Sequence, residues 1–219
     1  DPYYAYGLAG ILNARDYKIR GVVNGIDVDV FNPATDKNLV ANYTLKTVAK
    51  RAENKKALCE LMGFNYSPDR PLMVLISRLT EQKGIDLVAT VLDEMLQADI
   101  QLVVLGKGDW KYETILKNAE KTYNTKMRAI INFSQELASK LYGAADMFLM
   151  PSKFEPCGLG QMIAMRYGAV PIVRETGGLK DTVEAFNPVT QKGNGFTFKA
   201  YQAYDMLDAV WRTLGTYFD

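Results

Sequence analysis

Histidine is missing altogether from the 219 residues. Its absence excludes a histidine general base or a Ser-His-Asp arrangement within this chain, and it removes a principal zinc ligand. Cysteine is nearly missing too: Cys59 and Cys157 stand far apart and show no metal-ligand spacing. No apolar run approaches the length of a membrane span, and no leader-like segment opens the chain. An excess of one charge is also lacking. With 26 basic and 25 acidic residues the net charge is +1, so neither nucleic acid nor membrane is expected as a bulk partner. Any anion bound here must be held by a local cluster.

What is present describes a globular α/β protein. Hydrophobic residues make up 48% and charged residues 23%, enough apolar material for one real core. The length suits one large domain, or one domain plus extensions. The opening Asp1-Pro2-Tyr3-Tyr4 carries no initiating Met, and the chain is expected to be part of a longer polypeptide. Residues 3–20 show no clear period, and 21–36 read as a short strand followed by a turn-rich connector. Residues 48–62 have helical spacing, with Ala52, Leu58, Leu61 and Met62 on one face and Gly63 placed as a C-cap.

From Pro71 a regular alternation sets in. Strands are expected at 72–76, 101–105, 129–133, 147–150, 170–173 and 196–198. Helices are expected at 86–96, 112–123, 135–142, 161–167, 179–185 and 201–214. The strands are short, continuous apolar runs, the pattern of a parallel sheet covered on both faces. The expected fold class is α/β, a Rossmann-like parallel sheet flanked by helices. Such sheets bind ligands in the crevice outside the C-terminal ends of their strands, and every candidate motif falls at one of those ends.

The longest motif is Pro151-Ser152-Lys153-Phe154-Glu155-Pro156-Cys157-Gly158-Leu159-Gly160-Gln161. It sets one acid, Glu155, between a Pro-rich break and two glycines, where backbone can approach a ligand closely. A solvated acid in a strand-to-helix turn fits the same letters. After the first strand, Arg78 and Lys83 flank a loop leading into a helix. A planar fork and a mobile point charge beside free amides suit a diphosphate, although two solvated surface cations would look alike. Gly106 and Gly108 end the second strand without the third glycine of a dinucleotide fingerprint, so they read as a tight turn unless their neighbours bind something. Phe133 ends the third strand, where a ring either stacks on a nucleobase or packs in the core. Thr176, Gly177 and Gly178 open a helix, either offering amides to phosphate or sugar oxygens or forming a turn capped by Thr176. The Asp27-Val28-Asp29 spacing is read as structural, because alternate residues of an extended chain point opposite ways.

Taken together the motifs resemble a known family. Tyr6-Gly7-Leu8, Val23-Asn24-Gly25-Ile26-Asp27, Ala52-Glu53-Asn54-Lys55, Ser77-Arg78-Leu79-Thr80 with Gln82-Lys83-Gly84, the Pro151–Leu159 run, Ala164-Met165-Arg166-Tyr167-Gly168, Val173-Arg174 with Thr176-Gly177-Gly178-Leu179 and Asp181-Thr182-Val183, and Gly195-Phe196 with Phe198 follow one another in order. They make the chain similar to the C-terminal half of bacterial glycogen synthases and plant starch synthases, the ADP-glucose-dependent α-glucan synthases. The resemblance implies a GT-B architecture. In it, residues 1–36 would be an extension and interdomain linker and 37–219 the nucleotide-sugar domain, with an N-terminal domain and a final helical segment absent.

The implied reaction is transfer of glucose from ADP-glucose to the non-reducing end of an α-1,4-glucan with retention, in the cytoplasm, without a metal or cofactor. Its partners would be ADP-glucose, glycogen and the protein's own N-terminal domain, and the fragment alone would be inactive. By position, Arg78 and Lys83 would hold the diphosphate and Glu155 the transferred glucose. Cys157, Gly158, Leu159, Thr176, Gly177 and Gly178 would contact sugar or phosphates, Gly106 and Gly108 would join the substrate- and nucleotide-binding positions, and Phe133 would lie beside adenine. Two positions depart from related enzymes. Gly160 replaces a Thr or Ser, removing a hydroxyl, and Ile163 stands where many other GT-B enzymes carry a second, ribose-holding acid. Ile163 favours the glucan synthases over the remaining alternative, a GT-B transferase using UDP-glucose.

Overall fold

The fold, taken from a computed structural model, is described for residues 5–218; the opening at residues 1–4 and residue 219 lie outside the described residues. A short helix α1 (Ala9–Asn13) and a 3-10 turn (Asp16–Lys18) lead into an irregular connector. Helix α1 buries none of its residues. The strand expected within 21–36 is not formed. Asp27 instead folds the chain back on itself, its Oδ1 accepting from the amides of Asp29 and Val30 at 3.0 Å each, and Asn32 does the same for Ala34. These Asx turns compete with any strand ladder, and they give Asp27 the structural role its spacing indicated.

A 3-10 segment (Leu45–Lys50) runs into α2 (Arg51–Met62), which ends at Gly63 in the left-handed region. The buried face of α2 is not the expected one. Leu61 and Ala52 face solvent, while Asn54, Lys55, Leu58, Cys59 and Met62 turn inward. Two polar residues hold that phase. Lys55 pairs with Asp146 at 2.8 Å, and Asn54 Oδ1 accepts from the amides of Val40 and Ala41. A buried ion pair and buried amides must find partners, and they overrode an apolar pattern counted in letters.

From there strands and helices alternate: β1 (Leu72–Ile76), a 3-10 turn (Glu81–Lys83), α3 (Ile85–Gln97), β2 (Gln101–Gly106), α4 (Trp110–Thr122), β3 (Met127–Ile131), α5 (Gln135–Ala144), β4 (Met147–Met150), α6 (Gly160–Arg166), β5 (Val170–Arg174), α7 (Gly177–Thr182), β6 (Phe196–Phe198) and α8 (Ala203–Phe218). The strands form one parallel sheet in the order β3-β2-β1-β4-β5-β6. Alternate residues of each strand feed opposite faces. Met73 and Leu75 pack with α3 and α8, while Leu72 and Val74 pack with α2, α5 and α6. Both faces are covered, which is why the strands carry no polar alternation.

Strand β3 lies two residues earlier than expected. Ile131 is its last paired residue, opposite Gly106, and Asn132 ends it by accepting the Phe133 amide on its own side chain at 2.8 Å. Helix α7 likewise begins at Gly177 and ends at Thr182, short of residue 185.

The sheet order reverses direction between the paired strands β1 and β4, where the chain turns from building one half to building the other. At that switch point the loops after the two strands touch through Gly84. Its φ is +75°, and a Cβ there would sit 2.2 Å from the Pro151 carbonyl oxygen. Both the conformation and the space require glycine. Gly84→Ala is expected to lower unfolding free energy by about 3 kcal/mol or more, read from a urea denaturation midpoint. A change within about 0.5 kcal/mol, ordinary for an unconstrained surface site, would show that the two loops are not in contact.

Candidate active site

The β1 loop enters the crevice as Ser77–Gly84 and is tied to the loop after β2. Leu79 donates to the Lys107 carbonyl at 3.0 Å, and the Asp109 amide donates to the Leu79 carbonyl at 2.8 Å. Gly106 and Gly108 are the glycines of that junction. A Cβ on either would fall 1.9 Å from the Ser77 oxygen or 2.3 Å from the Leu79 oxygen, and the Gly108 amide already donates to Glu113 at 2.8 Å. Their close approach is between loop and loop. They shape the wall of the crevice.

Lys83 closes the 3-10 turn Glu81–Lys83, its amide donating to Thr80 at 3.0 Å. Its side chain crosses to the β4 loop and donates to Glu155 Oε2 at 2.5 Å, with side-chain exposures of only 15% and 10%. Ser152, fully buried, donates to the same oxygen at 3.3 Å. Glu155 is therefore no solvated acid of a turn. Two desolvated charges this close need each other, because either alone would be left uncompensated in low dielectric. Arg78, earlier in the same β1 loop, is exposed, and one of its Nη groups reaches Gln82 at 3.4 Å. The structure thus brings Lys83 and Glu155 together at the sheet's switch point and leaves Arg78 on the same loop without a bond to either.

The rest of the β4 loop packs on the N-terminus of α7. Gly177 has φ +46°, and its Cβ position lies 2.1 Å from the Glu155 carbonyl oxygen. Gly178 donates its amide to that same carbonyl at 3.1 Å, and a Cβ on it would meet the Cys157 oxygen at 2.0 Å. Thr176 occupies the N-cap position of α7 without a side-chain cap, so the capping reading fails and its hydroxyl is not committed to the helix. Cys157 is half-buried, its thiol 3.8 Å from the Asn24 carbonyl, which brings the connector alongside this loop. Leu159 is half-exposed, and Gly158 is buried with φ +72°.

Phe133 stands apart from these groups. It is 85% exposed in the loop after β3, so core packing does not explain it, and β3 lies two strands from β1. Ile163 points the other way, buried on α6 with Phe148 and Tyr167. A cavity of about 660 Å³ lies elsewhere, between the connector and α6, where Ile26, Pro33, Tyr43, Leu45, Met162 and Met165 contribute an apolar lining. Its one charged residue is Arg166, and none of the crevice residues borders it.

One residue of the site was passed over in the sequence. Gln161 is fully buried, and its amide nitrogen lies 3.2 Å from the Cys157 carbonyl, 2.9 Å from that of Gly158 and 3.0 Å from Thr182 Oγ1. Thr182 passes the link on to the Gly178 carbonyl at 2.6 Å. With two carbonyls turned inward in this way, the amides of residues 158–162 donate to no carbonyl among the described residues. They remain available to an anion. The signal was a Gln at the first turn of a short helix following Cys-Gly-Leu-Gly, a polar residue where the apolar period predicts core. Gln161→Leu should leave the Cys157 carbonyl unpaired and that of Gly158 with only the weak Cys157 thiol contact, and cost about 1–3 kcal/mol. Thermal melting should register this as a drop of about 2–4 °C per kcal/mol; an unchanged midpoint would remove Gln161 as the pin of this loop.

The model of the family described as glycosyl transferases group 1 matches residues 64–214. Among curated proteins, the chain is 53% identical over 210 residues to a glycogen synthase of Clostridium acetobutylicum, covering 96% of this chain and 44% of that protein. It is 49% identical over 216 residues to a glycogen synthase of Anoxybacillus flavithermus, at 99% and 45% coverage. Among solved structures, the catalytic domain of starch synthase IV from Arabidopsis thaliana bound to ADP and acarbose superposes with a TM-score of 0.89 at 37% identity, over 96% of this chain and 44% of that one. A sucrose-phosphate synthase from Thermosynechococcus elongatus shares the fold at a TM-score of 0.66 and 22% identity, over 95% of this chain and 47% of that one. The chain spans about 45% of the length of the curated relatives it matches. With most of its described length inside the matched region, and with the parallel sheet of a GT-B domain, the chain belongs to the glycosyl transferases group 1 family.

Proposed function

We propose that the full-length protein is a glycogen synthase, transferring glucose from ADP-glucose to the non-reducing end of an α-1,4-glucan with retention. The observation that carries this reading is the Lys83–Glu155 pair at the switch point, 2.5 Å apart, with Arg78 exposed on the same β1 loop. Its setting in a chain 53% identical to a glycogen synthase supports the choice of reaction. Residues 1–36 act as an extension and interdomain linker, and 37–219 as the donor-binding domain. The acceptor side belongs to the part of the relatives' length that this chain does not span.

The roles follow from charge and placement. Glycosyl transfer from a nucleotide sugar breaks the bond between the anomeric carbon and the β-phosphate oxygen, so negative charge grows on the departing diphosphate. Arg78 and Lys83 stabilise that charge most strongly in the transition state, which is why no metal or cofactor is invoked. The free amides of 158–162, the Gly177 amide and the uncommitted Thr176 hydroxyl hold sugar and phosphate oxygens, and Gly178 lets the chain approach closely there. Glu155 contacts the transferred glucose. The exposed ring of Phe133 stacks on adenine, placing the nucleoside across the strand ends from β4 toward β3. The two unpaired cysteines suit a reducing compartment, and we assign the activity to the cytoplasm. No helix among the described residues is long and apolar enough to cross a membrane.

Three measurements test this reading. Arg78→Ala and Lys83→Ala in the full-length protein should each lower kcat/KM for ADP-glucose by about tenfold to hundredfold, the scale of a lost charged hydrogen bond; unchanged kinetics would remove them from the site. Calorimetric titration with ADP and UDP should show tighter binding of ADP, and tighter UDP would overturn the donor assignment. The isolated chain should bind ADP weakly and show no turnover on glycogen.

A further inference from the structure

A second set of side chains lies behind the crevice residues and takes no part in the roles above. Tyr201, between β6 and α8, points its single hydroxyl proton at two acceptors, the Glu81 carbonyl at 2.8 Å and Asp86 Oδ1 at 2.6 Å. The first of these joins residues 120 apart in sequence. Burial and the Asp86 carboxylate push the phenol well above its ordinary value, so it stays a donor at any working pH. The face of the ring carries two cations, the Arg174 guanidinium at 5.5 Å and Lys153 Nζ at 5.3 Å from its centroid.

Arg174 is held on both sides. Its Nη1 donates to the Lys153 carbonyl at 2.8 Å and its Nε to the Lys199 carbonyl at 3.2 Å. Lys153 closes the circuit: its amide donates to the Gln82 carbonyl at 3.0 Å, and its ammonium pairs with Glu81 at 2.7 Å. The set therefore links the loops after β1, β4, β5 and β6. Its two contact points, Glu81-Gln82 and Lys153, sit one or two residues before Lys83 and Glu155.

We propose that Arg174 and Tyr201 form a clasp that fixes the Lys83–Glu155 geometry, making both of them positioning residues for the glucosyl transfer proposed above. A planar guanidinium bonded to two carbonyls and stacked on a ring is a rigid element. A salt bridge between Glu81 and Lys153 alone, both half-exposed or more, would not be. Neither clasp side chain bonds Lys83 or Glu155 directly. Loss of the clasp should leave donor binding largely intact and lower the rate of the chemical step, because a misplacement of about 1 Å is enough to cost about a hundredfold.

The test uses Arg174→Met, Tyr201→Ala, Tyr201→Phe and the Arg174→Met/Tyr201→Ala double variant of the full-length protein. Arg174→Met and Tyr201→Ala should each lower kcat about tenfold or more, with KM for ADP-glucose within about threefold of the parent. The double variant should lose no more than the worse single one, since residues of one unit are not additive. Tyr201→Phe keeps the ring under the cations but loses both hydroxyl bonds to the β1 loop, so its kcat should lie between those of the parent and Tyr201→Ala; a kcat equal to the parent's would overturn the hydroxyl's part in the clasp. Additive losses, or a raised KM at unchanged kcat, would overturn the clasp.

Hydrogen exchange provides a readout independent of catalysis. In Arg174→Met, exchange at 79–84 and at 152–156 should speed up together while β2 stays protected; faster exchange in one loop alone would also overturn the proposal. Should the parent transfer no glucose from ADP-glucose, the functional reading fails, and exchange alone decides the clasp.

Discussion

A cation and a carboxylate share one hydrogen bond above the paired ends of β1 and β4, and much of the surrounding architecture exists to let them do so. Lys83 and Glu155 sit on loops that leave adjacent parallel strands, paired through Met73 opposite Met147 and Val74 opposite Phe148. For the side chains to meet, the loops must come closer than side-chain-bearing residues permit. Gly84 against Pro151 and Gly177 against Glu155 meet that requirement with positive φ and no Cβ. The sheet order then matters for chemistry as well as topology, since only the switch point leaves room above two strand ends for a ligand to enter.

A pair this desolvated is a poor device for stability alone. Similar volume filled with apolar side chains would often hold the fold as well or better. Its value lies in keeping two opposite charges ready where an anion and a sugar have to be handled together. The surrounding hydrogen bonds point the same way. Ser152 steadies one carboxylate oxygen, Gln161 holds two carbonyls of the β4 loop while the neighbouring amides stay without a backbone partner, and Arg174 with Tyr201 braces the loops after β1 and β4. Most of these supports are buried or half-buried polar groups whose partners lie on another loop, which is how a scaffold holds a site to within fractions of an ångström.

The sequence made the sheet legible because its strands are buried on both faces. Runs such as Leu72–Ile76 need no register information to be recognised, and the helices between them keep a 3.6-residue period. What it hid was decided by side chain–backbone bonds. Asp27 and Asn32 turned an expected strand into Asx turns, Asn132 cut β3 short of Phe133, and Asn54 with Lys55 rotated the inward face of α2. The candidate charges were readable as types. That Lys83 and Glu155 touch each other, that Gly106 and Gly108 face neighbouring loops, and that Gln161 and Tyr201 support the site required the chain to be folded, because each depends on contacts between distant segments.

If the Lys83–Glu155 pair is the resting form of an anion site, then the incoming diphosphate competes with Glu155 for the same ammonium, and the carboxylate also repels it. Calorimetric titration of ADP into the full-length protein and its Glu155→Gln variant measures this competition directly. Removing the negative charge while keeping the side chain's shape should tighten ADP binding by several-fold, about 1 kcal/mol. Weaker ADP binding by Glu155→Gln would contradict the account, because it would mean that Glu155 serves the nucleotide rather than withholding Lys83 from it.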